Sequence, residues 1–348
     1  MPPVKIDYLK VFTDDTGVFQ HAKYCIPKRS EGYTTDDNAR ALVAAVRYHR
    51  LYGDAAINQL VHVYLAFLNH MQKSDGSFHN YLSYERSFLD VDGSPDAAGR
   101  TLWACGCTIN SQLPQGMRSV ASDIFDRGLP NVWKSVHLRL YSAVLAGIHE
   151  VYQAQPDESL IGSAEKLGDF IVAAFRDQCK DDWHWFEPHL TYDNARLPQA
   201  LFLAYSLVQK QEFLDVAEQA MNFLLNTQMV EGVYVPIGND GWYKRGGSRS
   251  MYDQQPLEAA AMVDAAVDGY YVTKEKRYLK AAEDIFGWYL GRNSRGAIMY
   301  DADTGGCYDG LAADCINKNE GSESSISYLL ARLRLEETRR SSLRRKKI

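Results

Sequence analysis

Carboxylates followed about one helical turn later by an arginine recur along this 348-residue chain. Tyr33-Thr34-Thr35-Asp36-Asp37-Asn38-Ala39-Arg40 runs straight into an apolar stretch at residues 41–46. Tyr192-Asp193-Asn194-Ala195-Arg196 repeats Asp-Asn-Ala-Arg before another, at residues 197–207. Looser versions are Asp96-Ala97-Ala98-Gly99-Arg100, Tyr252-Asp253-Gln254-Gln255-Pro256-Leu257-Glu258 and Glu320-Gly321-Ser322-Glu323-Ser324, with a weaker member at Ser135-Val136-His137-Leu138-Arg139-Leu140. Each reads as a helix entrance. Thr35 or Asp36 can cap the free N–H groups of the first, and the acids sit where a helix N-terminus favours negative charge. Arg40, Arg100 and Arg196 can reach back to Asp37, Asp96 and Asp193 as ion-pair partners. Carboxylates gathered in one hollow can serve as general acid and general base, if burial and neighbouring acids raise the pKa of one of them. Asp37 and Glu187 rank first for that pair, followed by Asp193 and Glu320.

The elements that must position these groups follow from periodicity. Residues 54–72 place Ile57, Leu60, Val61, Tyr64, Leu65 and Leu68 at helical spacing, and similar patterns recur near 116–127, 158–177, 211–228 and 275–291. Residues 4–13 can add a short helix. Two sets of helices therefore alternate, one rich in Ala and Gly and opened by the polar motifs, the other longer and more amphipathic. The first set suits a crowded inner ring and the second an outer ring. Short connections lead from inner to outer helices, and long ones (73–95, 178–192, 229–251 and 292–321) lead back. All the long loops thus gather at the end where the polar entrances point, and loops of this length usually carry function.

Composition narrows the classes. Net charge is −6, which recommends no nucleic-acid partner. No window is long enough to span a membrane, and the N-terminus lacks the apolar core of a signal peptide. The six cysteines are scattered without a chelating spacing, so reduced thiols, no metal, no cofactor and a cytoplasmic setting are expected. Asp301-Ala302-Asp303 reads as a solvated turn rather than a calcium loop. Residues 336–348, rich in Lys and Arg, read as a flexible basic tail after a single domain over residues 1–335.

Six helical hairpins with acids and aromatics at one mouth resemble the (α/α)6 toroid of the six-hairpin glycosidase-like superfamily. That resemblance implies an all-α barrel acting on a carbohydrate, with paired carboxylates in its central cavity. The loop Asp182-Trp183-His184-Trp185-Phe186-Glu187-Pro188-His189 fits it, since exposed aromatics cover the C–H faces of sugars and polar groups bind hydroxyls. Asp36, Arg40, His79, Tyr81, Arg100, Trp183, His184, Trp185, Arg196, Trp242, Tyr252, Asp253, Gln254 and Glu323 complete the expected substrate-binding set. The 229–251 loop, with Gly238, Gly241, Gly246 and Gly247, resembles a mobile lid. Glycoside hydrolysis of an oligosaccharide is the first reading. The rivals are a non-catalytic sugar-binding or glycosyltransferase-partner domain, a phosphorylase whose arginines converge on phosphate, and an epimerase with two of His79, His184 and His189 facing each other. Gln72-Lys73-Ser74-Asp75-Gly76-Ser77-Phe78 also resembles the repeat of terpene cyclases and related toroids; its expected job here is structural, tying a helix end to the next turn.

Overall fold

The structure, a computed structural model, describes residues 1–345. Among these residues twelve α-helices form: α1 (Asp7–Phe12), α2 (Thr35–Tyr52), α3 (Asn58–Met71), α4 (Pro95–Ile109), α5 (Gln115–Gly128), α6 (Leu138–Ala154), α7 (Glu158–Gln178), α8 (Arg196–Val208), α9 (Gln211–Gln228), α10 (Pro256–Thr273), α11 (Lys276–Phe286) and α12 (Ser322–Arg345). The even-numbered helices pack in sequence order, and α12 closes back on α2. The odd-numbered helices lie outside them, so the all-α (α/α)6 toroid expected from the sequence is the architecture observed. Strands are confined to two-residue antiparallel pairs in the loops.

Small residues set how tightly the inner ring closes. Gly106 of α4 faces Gly147 of α6, where an added Cβ would lie 2.4 Å from the Gly147 carbonyl oxygen. A Cβ on Gly147 would in turn sit 2.7 Å from the Leu102 carbonyl. These are backbone contacts, with no side chain that could swing aside. The outer helices supply the larger apolar groups: Tyr64, Phe125, Phe175, Phe213 and Tyr278 are all buried.

The axis of the ring is ionic. Glu323 meets Arg40 at 3.0 Å, Arg40 meets Asp36 at 3.1 Å, and Asp36 meets Arg100 at 2.8 Å. Arg100 continues to Asp193 at 2.8 Å, and Asp193 to Arg196 at 3.3 Å. Arg196 and Arg47 then share Asp264 at 2.8 and 2.9 Å, while Arg334 pairs with Asp268. Trp103 lies between the Arg47 and Arg196 guanidiniums, 5.5 and 4.8 Å from its ring. Five arginines and five carboxylates alternate, which offsets the desolvation each ion would suffer alone.

Three local readings can be compared with what forms. The cap of α2 is Thr34, one residue before the expected Thr35; its side chain accepts from the Asp37 amide. Gln72 donates to the Gly76 and Ile124 carbonyls, and Gly76 takes φ +82°, so the cyclase-like motif ties α3 to α5. The basic C-terminal run is not a tail from 336 onward. α12 continues to Arg345, Glu336 is buried among Arg332, Arg339 and Arg340, and Arg340 stacks 4.3 Å over Tyr52. Residues 346–348 lie outside the described residues.

Gly106→Ala is expected to destabilise the fold by about 1–3 kcal/mol, since overpacking of this size forces backbone shifts. Urea denaturation measures it. A midpoint unchanged from the parent chain would show that α4 and α6 do not approach as described.

Candidate active site

A hollow of about 350 Å³ opens at the mouth of the ring, on one side of the axis. Its walls come from the entrances of α2, α10 and α12 and from the three loops that precede α2, α4 and α12. Asp36, Asp37, Asp253, Asp309 and Glu323 supply five carboxylates, and Gln20, His21, Asn80, Tyr81 and Asn317 supply much of the remainder. The entrances of α4, α6 and α8 contribute nothing to it. There, Asp96, Arg100, Asp193 and Arg196 are tied to one another around a small crevice, which Arg139, itself paired with Glu187, also lines.

Asp37 is the most perturbed acid of the hollow. It is 6% exposed, and Thr34 Oγ1 donates to its Oδ2 at 2.6 Å. Burial, followed by the charge of Asp36 next to it, pushes its pKa up to about 7. The helix N-terminus and Arg40 act in the opposite sense and are outweighed. Asp253 is raised from its ordinary value by burial and then by Asp240, and its Oδ1 is buried with no hydrogen-bond partner. Asp309 is raised by burial as well, but its Oδ1 already accepts from the Gly321 amide at 2.7 Å and it bonds Ser324. Glu323 and Asp36 are held by arginines.

The four acids ranked from the sequence do not meet. Asp37 lines the hollow. Asp193 is buried between Arg100 and Arg196; burial works against its charge, but the arginines hold its pKa down at about 2. Glu187 is paired with Arg139 at 2.9 Å, away from the hollow. Glu320 accepts from Thr304 Oγ1 at 2.8 Å, and its carbonyl accepts from Tyr8, so it fastens the start of α12 to the N-terminal segment.

Of the expected binding residues, Asp36, Tyr81, Asp253 and Glu323 line the hollow. Arg40, Arg100 and Arg196 do not; they belong to the axial ion pairs. Trp183 and Trp185 are buried, packed edge-on against Phe223 and Phe186 respectively, because their loop folds inward onto α7 and α9 rather than over the mouth. His184 contacts Cys179, His189 pairs backbone to backbone with Lys244, and His79 stacks on Phe88. Trp242 lies beside Tyr192, outside the hollow. Gln254 is fully buried, bonded to Trp288 and Ser294, and its neighbour Gln255 takes the lining position. Tyr252 does not line the hollow, and its carbonyl accepts from the Asp240 amide. The glycine-rich loop is anchored rather than loose, since Arg249 donates to the carbonyls of Thr227, Val235 and Pro236.

Sequence reasoning missed His21 and Gln20, and it left Asp309 unranked within its long loop. The signal for the first two was the hairpin count: each inner helix needs a return at the mouth, and residues 14–33 are the one into α2, a fifth long loop beside the four named, with only the return into α6 short. Asp301 accepts from the Asp303 and Thr304 amides, as a turn does. Among the described residues no group of three or more His, Cys, Asp or Glu is placed to hold a metal, and no helix is long and apolar enough to cross a membrane.

No family model matches this sequence, and no curated protein does. Solved structures do. A cellobiose 2-epimerase from Bacillus thermoamylovorans superposes with a TM-score of 0.72 at 15% identity, covering 97% of this chain and 96% of that one. A D-mannose isomerase gives 0.74 at 13% identity over 96% and 95%. A family 76 α-mannanase from Bacteroides thetaiotaomicron gives 0.69 at 12% identity over 96% and 95%. The chain therefore shares the (α/α)6 toroid fold of these structures.

Two outcomes follow from the electrostatics. In Asp36→Asn the Asp37 titration, followed by carboxyl carbon NMR, is expected to move down from about 7, because the like charge that adds to burial in raising it is gone; an unmoved midpoint would remove Asp36 as a cause. Asp37 also sets a pH dependence of stability. Its folded pKa of about 7 exceeds its unfolded value, so the folded chain holds a proton that the unfolded chain releases, and stability falls as pH rises from about 4 towards 7. Asp37→Asn is thus expected to stabilise the fold more at pH 8 than at pH 4.5, by on the order of 1–4 kcal/mol. Equal effects at the two pH values would contradict the raised pKa.

Proposed function

We propose that this protein is a glycoside hydrolase, with Asp37 as general acid and Asp253 as general base. The observation that carries the reading is a buried carboxyl, protonated near neutral pH, that shares a hollow with a carboxylate whose Oδ1 has no partner. Asp37 gives its proton to the glycosidic oxygen as the bond to the anomeric carbon breaks. Asp253 takes a proton from the water whose oxygen forms the new bond, and solvent exchange resets both groups. Asp309, Asn80, Asn317 and Gln255 offer hydroxyl partners around them. The hollow is polar and acid-lined, which suits a neutral, hydroxyl-rich ligand and disfavours an anionic or terpenoid one.

The rival readings find less support. A two-histidine epimerase needs a facing pair, but His21 is the one histidine lining the hollow, and His79, His184 and His189 lie outside it. Phosphorolysis is left without a guanidinium in the hollow. A purely binding domain has no use for an acid held near pKa 7.

The test is a panel of aryl glycosides and gluco- and manno-oligosaccharides. Asp37→Asn and Asp253→Asn are each expected to lower kcat by about 10²–10⁴-fold. A good leaving group such as dinitrophenol should restore Asp37→Asn and leave Asp253→Asn impaired. Activity should fall above pH about 7 as Asp37 ionises. Unchanged rates in both variants, or solvent deuterium entering a free sugar at C2, would replace this reading with another.

A further inference from the structure

The hollow continues outward into an apolar shelf. Tyr33 and Thr34 pair antiparallel with Tyr81 and Leu82, in the register Thr34 opposite Tyr81. The chain then turns at residues 83–87, and Leu82 faces Phe88 across the return, with the Leu89 amide bonded to the Tyr81 carbonyl. Residues opposite one another in an antiparallel ladder share a face. Thr34, Tyr81 and Leu89 therefore stand in one row, and Leu82 points the other way into the core, 1% exposed. Strands lie about 4.8 Å apart, so the row reaches about 10 Å outward from Thr34.

The exposure along this row runs against ordinary burial. Thr34, which bonds Asp37, is 3% exposed, Tyr81 at the rim is 44% exposed, and Leu89 beyond it is 64% exposed. The hairpin that displays these apolar groups is itself firmly held. Asp90 accepts from the Asn80 amide at 2.7 Å, and Arg86 at the turn is paired with Asp15 at 2.8 Å. A rigid hairpin showing a tyrosine and a leucine to solvent, beside the acid of an acid-lined hollow, is built to receive something with flat apolar faces and a polar end.

We propose that Tyr81 and Leu89 form the subsite for the sugar units beyond the scissile bond, so that the substrate is a chain whose end lies in the hollow and whose next units cross this shelf. The assignment rests on the glycosidase reading above. The occupant follows from continuity: Tyr81 lines the hollow and begins the shelf, so one ligand occupies both. Pyranose rings present C–H faces to Tyr81 and Leu89, and their hydroxyls stay in water along the exposed edge. The opposite side of the hollow offers no such exit, because the Asp36–Arg100–Asp193 pairs close it.

Calorimetry on the full chain carrying Asp37→Asn, which prevents turnover, tests the shelf with di- to pentasaccharides of the panel. Affinity is expected to rise about tenfold with chain length, the scale of one aromatic contact. Adding Tyr81→Ala or Leu89→Ser should flatten that rise, and Tyr81→Phe should keep it. A length dependence that survives both changes overturns the shelf while leaving the hydrolase reading in place. Length-dependent binding without turnover by the parent chain sinks the hydrolase reading alone. No binding of any oligosaccharide overturns both. Self-association in the ultracentrifuge, abolished by Leu89→Ser, would give the shelf to a second copy of the chain and overturn the proposal.

Discussion

A column of alternating arginines and carboxylates stands where most barrels would place side chains of Leu or Val. Each inner helix except α6 contributes an ion to it or, in the case of α8, also the loop that opens the helix. A charge buried alone costs several kcal/mol, so removing any one member leaves its partners exposed to that cost. The column therefore constrains the relative rotation of the helices, because Arg40, Arg100 and Arg196 each meet two carboxylates from different elements at once. Ala and Gly on the inner helices make the ring narrow enough for these side chains to span it.

The same column decides where a ligand can go. By occupying the axis and crowding the ring where α4 and α8 begin, it leaves the acid-lined hollow to the side of α10, α12 and α2. It also sets the protonation of the site. Arg40 and Arg100 both bind Asp36, and Asp37 is left with that negative charge beside it and burial around it. The cost appears as the pH-dependent loss of stability derived for Asp37.

Much of this was legible in the residues. The fold was, because hydrophobic periodicity and alternating loop lengths report on helix–helix order directly. Asp36, Asp37, Asp253 and Glu323 stood out because capping positions mark helix starts, and the helix starts form the mouth. The rest depended on facts that spacing does not encode. Whether Arg100 meets its own Asp96 or reaches across to Asp36 is set by the ring diameter. Whether Trp183 and Trp185 face solvent depends on how their loop folds onto α7 and α9, and aromatic residues serve either purpose. His21 was hidden because the short helix expected at residues 4–13 forms as α1, but the segment after it was not read as a loop returning to the mouth.

The two copies of Asp-Asn-Ala-Arg show how little a motif fixes by itself. In both, the asparagine side chain bonds backbone near the helix start: Asn38 receives the Val18 amide, and Asn194 receives the Thr191 amide. Yet Asp37 has its pKa pushed up to about 7 and Asp193 has it held at about 2. Burial cannot separate them, since both are nearly inaccessible. The difference lies one residue earlier. Asp36 precedes Asp37 and takes the Arg40 and Arg100 guanidiniums in its place, whereas Tyr192 precedes Asp193 and bonds Asp96 through its hydroxyl, so Asp193 itself meets Arg100, shared with Asp36, and Arg196, shared with Asp264. Backbone register adds to this: Asp37 lies inside the first turn of α2, while Asp193 sits before α8 at φ +51°. The repeat thus supplies one ionised strut and one protonated acid from the same four letters, and the residue in front of each copy determines which it becomes.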